Sequence, residues 1–414
     1  MRSAPRSRRA ELAFDPALAP ERSRPAPFRY VWSGDRRVNG VSRTVGAHLP
    51  GVRVPALLER LADPVRVAEA LDEAWRRPKV ELHLHLEGTL RPATVREIVA
   101  GYDPGSPLAR PDWHVGYWTF RDLAGFVEQF RTVHRACVRD LADLERLARE
   151  GFEDLALQNV RYAEVSWSAR PLSHPLYLPL RDALAAIDRA RREVEGEREL
   201  QVGLILAINR APGLGGDDGT HDGALLLVEE ALRARDDGVN LVGIDLHGDE
   251  QSHPSVEPFV GAFRLAAQAG LGLRAHAGEG AGPDSVRDAV ETLRVQRVGH
   301  GVRAAEDRNL LEQLGAASIP LDVCPTSNVL TGAASSLDAH PIRQLIASGI
   351  PISISSDDPI VFETCVTAEL ALLHLAHGFS WRELGALTLN GVSASFLPDS
   401  DRAALAREIA PAWS

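Results

Sequence analysis

Lys79-Val-Glu-Leu-His-Leu-His-Leu-Glu-Gly88 places two histidines two residues apart inside a run that alternates leucine with polar residues. Alternation of period two is the pattern of a β-strand, whose successive side chains point to opposite faces. Leu82, Leu84 and Leu86 then share one face, while Glu81, His83, His85 and Glu87 share the other, and Gly88 closes the strand so that the chain can turn. Taken alone, the segment reads equally as a half-exposed edge strand with a solvated face or as one wall of a metal site, with two imidazoles side by side on a rigid backbone. The decision rests on whether later strands end in further ligands.

Seven more short apolar runs follow, at 160–168, 201–209, 239–246, 271–276, 297–300, 319–324 and 351–357. Amphipathic helical patterns separate them, as at 140–157, 224–236, 256–269, 283–293 and 340–347. Eight strands alternating with helices predict parallel βαβ units, and right-handed crossovers with eight repeats favour a closed (β/α)8 TIM barrel over an open sheet. Chemistry in such barrels gathers at the carboxyl ends of the strands. The polar residues fall there: His83 and His85 on strand one, His276 and Glu279 at strand five, His300 at strand six, Asp357 and Asp358 at strand eight. In strand eight, Ser353, Ser355 and Asp357 share the face expected to point inward. A lone strand histidine is usually a satisfied core residue. Four histidines and two adjacent carboxylates converging on one rim would each cost several kcal/mol if buried unpaired.

The remaining composition sets bounds. The 414 residues hold a barrel of roughly 250 residues with room for extra helices. Residues 1–53 are rich in Arg, Ala and Pro and read as a flexible N-terminal extension, with a transit peptide as the weaker alternative; residues 54–414 read as the barrel domain. One or two short helices interrupted at Pro64 are expected before strand one. Hydrophobic content of 44% and charged content of 25% fit a soluble globular protein, and no run approaches the ~18 apolar residues of a membrane span. A formal net charge of −11 argues against a nucleic-acid partner and leaves small neutral or cationic substrates open. Cys137, Cys324 and Cys365 are too few and too scattered for a disulfide framework, which points to the cytoplasm.

His83, His85, His276 and Asp357 supply three neutral nitrogens and one carboxylate, a set suited to one zinc-like divalent ion with a position left for water. A second metal bridged by a carbamylated lysine is not available: Lys79 is the only lysine and lies at the amino-terminal end of its strand. Glu279, three residues past His276 across a Gly turn, reaches the same cavity and could shuttle a proton, or could be a salt-bridged rim residue. His300 and Asp358 would flank the water, orienting it and taking its proton. Together these parts describe hydrolysis of a C–N bond.

Six segments in order, His83-Leu-His-Leu-Glu-Gly88, Gly243-Ile-Asp-Leu-His-Gly-Asp-Glu250, His276-Ala-Gly-Glu279, Gly299-His-Gly301, Cys324-Pro-Thr-Ser-Asn328 and Ser355-Ser-Asp-Asp-Pro359, resemble the adenosine deaminase family of metal-dependent barrel hydrolases. The likeness runs over about 79–409 and includes the segment Asn390-Gly-Val-Ser-Ala-Ser-Phe396. The resemblance implies zinc at His83, His85, His276 and Asp357, with Glu279 protonating purine N1, His300 positioning the hydroxide that attacks C6, and Asp358 holding water and N7. It implies that Gly248 offers its backbone N–H to purine N3, and that Leu123, Phe126, Val127 and Phe130 belong to an apolar helix over the sugar, unless they are ordinary helix core.

Two departures bear on substrate. Glu87 stands where adenosine deaminases proper usually carry Asp for the ribose 5′-hydroxyl, and in this it is similar to adenine and aminodeoxyfutalosine deaminases; His247 replaces a small residue beside Gly248. The expected reaction is therefore deamination of a 6-aminopurine nucleoside, with adenine or a 5′-modified adenosine such as aminodeoxyfutalosine as the alternative. A catalytically inactive barrel acting as a binding protein would have lost ligands, and none is missing. An amide or lactam hydrolase is the other rival. The His-x-Glu with Pro-Cys-x-x-Cys of single-stranded nucleic-acid deaminases is absent.

Overall fold

The computed structural model describes residues 56–120, 123–169, 178–211 and 221–414. The extension expected at 1–53 lies outside the described residues. Helices Ala56–Leu61 and Pro64–Arg76 break at the expected proline, and Asp63 caps the second by accepting a bond from Val65 N at 2.8 Å.

Eight strands follow: β1 (Lys79–His85), β2 (Val160–Ser168), β3 (Gln201–Asn209), β4 (Leu241–His247), β5 (Gly272–Ala277), β6 (Arg297–His300), β7 (Leu321–Val323) and β8 (Ile352–Ile354). They pair in parallel in sequence order, β1 through β8, as a TIM barrel requires. Helices cover the outside. Leu141–Leu157, for example, buries Leu144, Leu147, Ala148, Phe152 and Leu155, spaced three and four residues apart on one stripe.

The seam between β8 and β1 closes without a regular ladder. It has one bridge, Leu84 to Asp357, in which His85 N donates to Asp357 O (3.0 Å) and Asp357 N to His83 O (3.1 Å). Ser355 Oγ substitutes for a strand by accepting from Leu82 N and His83 N at 3.1 and 3.0 Å. The seam thus sets His83, His85 and Asp357 side by side.

Two expectations for β1 need correction. All seven residues of β1 are buried, so it is no edge strand. Nor do all four ionisable residues share a face: the register shifts between Glu81 and Leu84, and the Glu81 carboxylate turns away to accept from Ser356 N (2.9 Å) and Ser356 Oγ. The strand ends at His85, and Glu87 belongs to a 3-10 turn, Leu86–Thr89. Simple alternation fails because a bulge changes which side the next residue faces.

The barrel interior below the site is ionic. Arg297 donates to Asp322 Oδ2 (2.6 Å), to Glu164 and to Ala394 O (2.7 Å), and its guanidinium lies 4.2 Å from the Phe396 ring centroid. Arg274 donates to Asp245 Oδ2 at 3.1 Å and to Leu82 O and Ser166 Oγ. All these charged side chains are buried, a state tolerable only with partners in place. Among the described residues, no helix is long and apolar enough to cross a membrane.

Candidate active site

His83 and His85 from β1, His276 from β5 and Asp357 past β8 bring one ligand atom each to within 4.8 Å of one another, and all four residues are buried. His85 Nε2 and His276 Nε2 face each other at 3.1 Å, and Asp357 Oδ1 lies 3.4 Å from His83 Nε2 and 3.5 Å from His85 Nε2. Neither nitrogen of His83 has a hydrogen-bond partner. Buried polar atoms without partners are costly. One divalent cation held by one atom from each of the four residues would give the His83 ring a partner, so the donor set fits a metal ion. Burial, reinforced by His276, pushes His83 and His85 well below the ordinary histidine range, leaving the lone pairs free for coordination.

Outer contacts orient the ligands. His276 Nδ1 lies 3.0 Å from Asp245 Oδ2, which directs Nε2 toward the centre, and Ser327 Oγ donates to Asp357 Oδ2 at 2.7 Å. The backbone is strained at two of the residues that line this centre: His300 (φ 60°) and Asp357 (φ 65°) both sit in the left-handed region that non-glycine residues rarely adopt. Gly299 gives His83 its space, since a Cβ there would stand 2.8 Å from His83 Cε1.

Two carboxyls complete the cavity. Glu279 rides on a loop fastened by Glu250, which accepts from Gly278 N (3.2 Å), Glu279 N (3.4 Å) and Ala281 N (2.9 Å). Its Oε2 is 3.5 Å from His300 Nε2. Burial, then the charge of Asp357, raises the Glu279 carboxyl; burial and the charges of Asp357, Glu87 and Glu279 raise Asp358 well above the carboxylate range. A bound dication would draw both down. Asp358 fits beside the first turn because Gly88 has no side chain: a Cβ would meet Asp358 Cα at 2.5 Å.

At the next sector of the rim, Glu87 Oε1 accepts from Ser168 N (2.8 Å), and Ser168 Oγ bonds His247 Nε2 (2.6 Å). The His247 ring lies 5.5 Å from that of His85. Gly248 follows β4 with φ 109°. The helix Leu123–Cys137 stands beside this rim, with Phe126 stacked at 5.5 Å on both Phe130 and Phe362, the latter four residues past Asp358. The side chains of Leu123 and Val127 lie outside the described residues.

Sequence reasoning gave no role to Asp245, Glu250, Arg274, Ser168, Ser327, Asn328 or His340. Asp245 carried a signal, since Gly243, Asp245 and His247 alternate along a strand. Most of the others act through partners far along the chain, as Ser166 does for Arg274, 108 residues away, and Gly278 for Glu250, 28 residues away, which no local pattern reveals.

The family model described as adenosine deaminase matches residues 78–412. The chain is 35% identical to aminodeoxyfutalosine deaminase of Streptomyces coelicolor, over 85% of this chain and 89% of the relative. It is 33% identical to adenine deaminase of Rhodospirillum rubrum, over 82% and 99%. A Burkholderia ambifaria amidohydrolase solved with bound Zn superposes with a TM-score of 0.74 at 27% identity, covering 88% of this chain and 96% of that one.

Proposed function

Since this chain belongs to the adenosine deaminase family of hydrolytic deaminases, we propose that it replaces the 6-amino group of an adenine ring by oxygen, on a substrate that carries a sugar or a modified sugar at N9. The observation that carries this reading is the convergence, in one buried cavity, of the four ligands with Glu279, His300 and Asp358. A zinc ion held by His83, His85, His276 and Asp357 would supply Lewis acidity that lets a water ionise near neutral pH. Glu279, a buried carboxyl whose affinity for a proton is raised, carries the water's proton to ring N1, which makes C6 electrophilic. Asp358 orients the attacking oxygen and accepts from, or donates to, N7. The remaining O–H proton passes to the exocyclic nitrogen, and expulsion of ammonia as the C6=O bond forms completes the exchange of C–N for C–O. A single ion per chain is expected, because the second group of candidate ligands among the described residues, His300, Cys324 and Asp357, shares Asp357 and includes a thiol that burial pushes well above its ordinary range.

The substrate's tail is assigned from Glu87. Its carboxylate sits past β1 beside Asp358 and is fixed by Ser168, where it can accept from a hydroxyl and repel a phosphate. Neutral nucleosides and 5′-modified nucleosides should therefore outperform AMP, and the kinship with the Streptomyces aminodeoxyfutalosine deaminase favours the 5′-modified class as the second reading. The test is a panel of adenine, adenosine, deoxyadenosine, methylthioadenosine, aminodeoxyfutalosine and AMP, followed by ultraviolet absorbance and ammonia release, with Glu87→Ala in parallel. Glu87→Ala should weaken nucleosides far more than free adenine. AMP as best substrate, or an equal loss on every substrate, refutes the tail assignment.

A further inference from the structure

A chain of hydrogen bonds leads from a backbone amide to the back of His300. Ile342 is the first residue of the helix Ile342–Ala347, so its N–H has no acceptor within that helix, and it donates to His340 Nδ1 at 3.2 Å. A backbone N–H can only donate. His340 Nδ1 therefore carries no proton, and the ring's proton is on Nε2, which faces Asn328 Oδ1 at 3.2 Å. The oxygen of the Asn328 amide being taken up by His340, its Nδ2 must be the atom that lies 3.0 Å from His300 Nδ1. An amide NH2 donates, so His300 Nδ1 accepts. Asn328 is fully buried and His340 nearly so, and burial, aided by His377, pushes His340 down to about 4, in keeping with a singly protonated ring.

We propose that His340, acting through Asn328, holds His300 as the tautomer with its proton on Nε2, so that His300 presents an N–H to the cavity and is not the base. His300 Nε2 has no hydrogen-bond partner and points at Glu279 Oε2, 3.5 Å away. His340 and Asn328 are positioning residues: neither reaches the reacting atoms. For His300 to accept a proton at Nε2, Asn328 would have to rotate its amide and His340 to shift its proton, which leaves the Ile342 N–H without an acceptor at a buried helix end.

The consequence for chemistry rests on the deaminase reading; the tautomer does not. As the water oxygen bonds to C6, its O–H bond breaks and the proton passes to the Glu279 carboxylate. The ring C=N electron pair moves onto N1, and Glu279 returns the same proton there. His300 donates its N–H to the oxygen that bears the developing charge and undergoes no net change. This narrows the role that the sequence suggested for His300, from taking a proton to donating a hydrogen bond.

The full-length, metal-loaded protein labelled with 15N-histidine tests this by two-bond 1H–15N correlation, with His300 assigned from the signal lost in His300→Gln. The expected parent pattern is a pyridine-type Nδ1 and a pyrrole-type Nε2. In Asn328→Asp the carboxylate has no N–H to give, so the two shifts should exchange. His340→Leu frees the Asn328 amide to turn and should leave both tautomers populated. A pyrrole-type Nδ1 or a doubly protonated ring in the parent overturns the proposal even if neither variant folds, as does an Asn328→Asp spectrum identical to the parent's. If no 6-aminopurine is turned over, the deaminase reading fails while the spectrum still decides the tautomer.

Discussion

Asp245→Asn removes a charge that never touches the substrate. The wild-type carboxylate accepts from two buried donors on its two oxygens, His276 Nδ1 on Oδ1 at 3.2 Å and Arg274 Nη2 on Oδ2 at 3.1 Å. An asparagine amide has one oxygen and one NH2, so it satisfies only one of these donors and turns its own N–H toward the other. Two separable losses follow. First, the hydrogen bond that aims His276 Nε2 at the centre is weakened; such outer contacts are worth about 10–100-fold in metal affinity, or about 1.4–2.7 kcal/mol. Second, Arg274, fully buried, keeps as nearest carboxylate only Asp322 Oδ2 at 4.0 Å. Breaking a buried ion pair on one side costs about 3–5 kcal/mol, a large share of the ~5–15 kcal/mol by which a domain is stable. Chelator competition at fixed pH measures the first loss and urea unfolding of the metal-free protein measures the second. Metal affinity within about twofold of the parent would refute the claim that Asp245 orients the ligand. A metal-free variant of parental stability would refute the claim that Asp245 is the necessary counter-ion of Arg274.

Glu279→Gln keeps the side chain's shape and removes its exchangeable proton, so kcat should fall by about 10²–10⁴ with metal content and unfolding unchanged; a loss of only a few-fold would reassign the proton carrier. Gly299→Ala sets a methyl 2.8 Å from His83 Cε1 and 3.1 Å from its Nδ1, and the ring must shift by several tenths of an ångström. Overpacking of this kind costs about 1–3 kcal/mol, and metal affinity measured by competition should drop at least about tenfold; parental affinity would mean that His83 is not held against this backbone. His340, held near 4 against an ordinary 6.5, takes up a proton more readily in the unfolded chain, so its contribution to stability is full above about pH 6.5 and is lost as pH falls toward about 4. The difference amounts to about 2.5 kcal/mol at about pH 4.5. Urea midpoints of metal-free parent and His340→Gln should therefore show a steeper acid loss in the parent, and parallel pH profiles would contradict the shift.

Much of this molecule was legible along the chain because its signals are local. Strand and helix periods depend on residues two to four apart, so the eight βα repeats and the order of the strands could be counted, and the carboxyl-end rule then placed His83, His85, His276, Glu279, His300, Asp357 and Asp358 on one rim. The bulge at Glu81 escaped because a period-two pattern looks the same with or without an extra residue; the pairing to β2 and the Ser355 hydroxyl on Leu82 N and His83 N reveal it. Glu87 likewise moved off the strand into a turn. The ionic interior was hidden for another reason. Nothing along the chain announces that Arg274 and Arg297 are buried, because the fold supplies Asp245, Glu164 and Asp322 from other strands, and only a partner at hydrogen-bond distance makes a buried guanidinium tolerable. The same holds for His300, whose ligand-side position follows from its strand. Which of its nitrogens carries the proton is decided by Asn328, His340 and the Ile342 amide, 28 to 42 residues further on, because a tautomer is fixed by what lies within about 3 Å in space and not by neighbours in sequence.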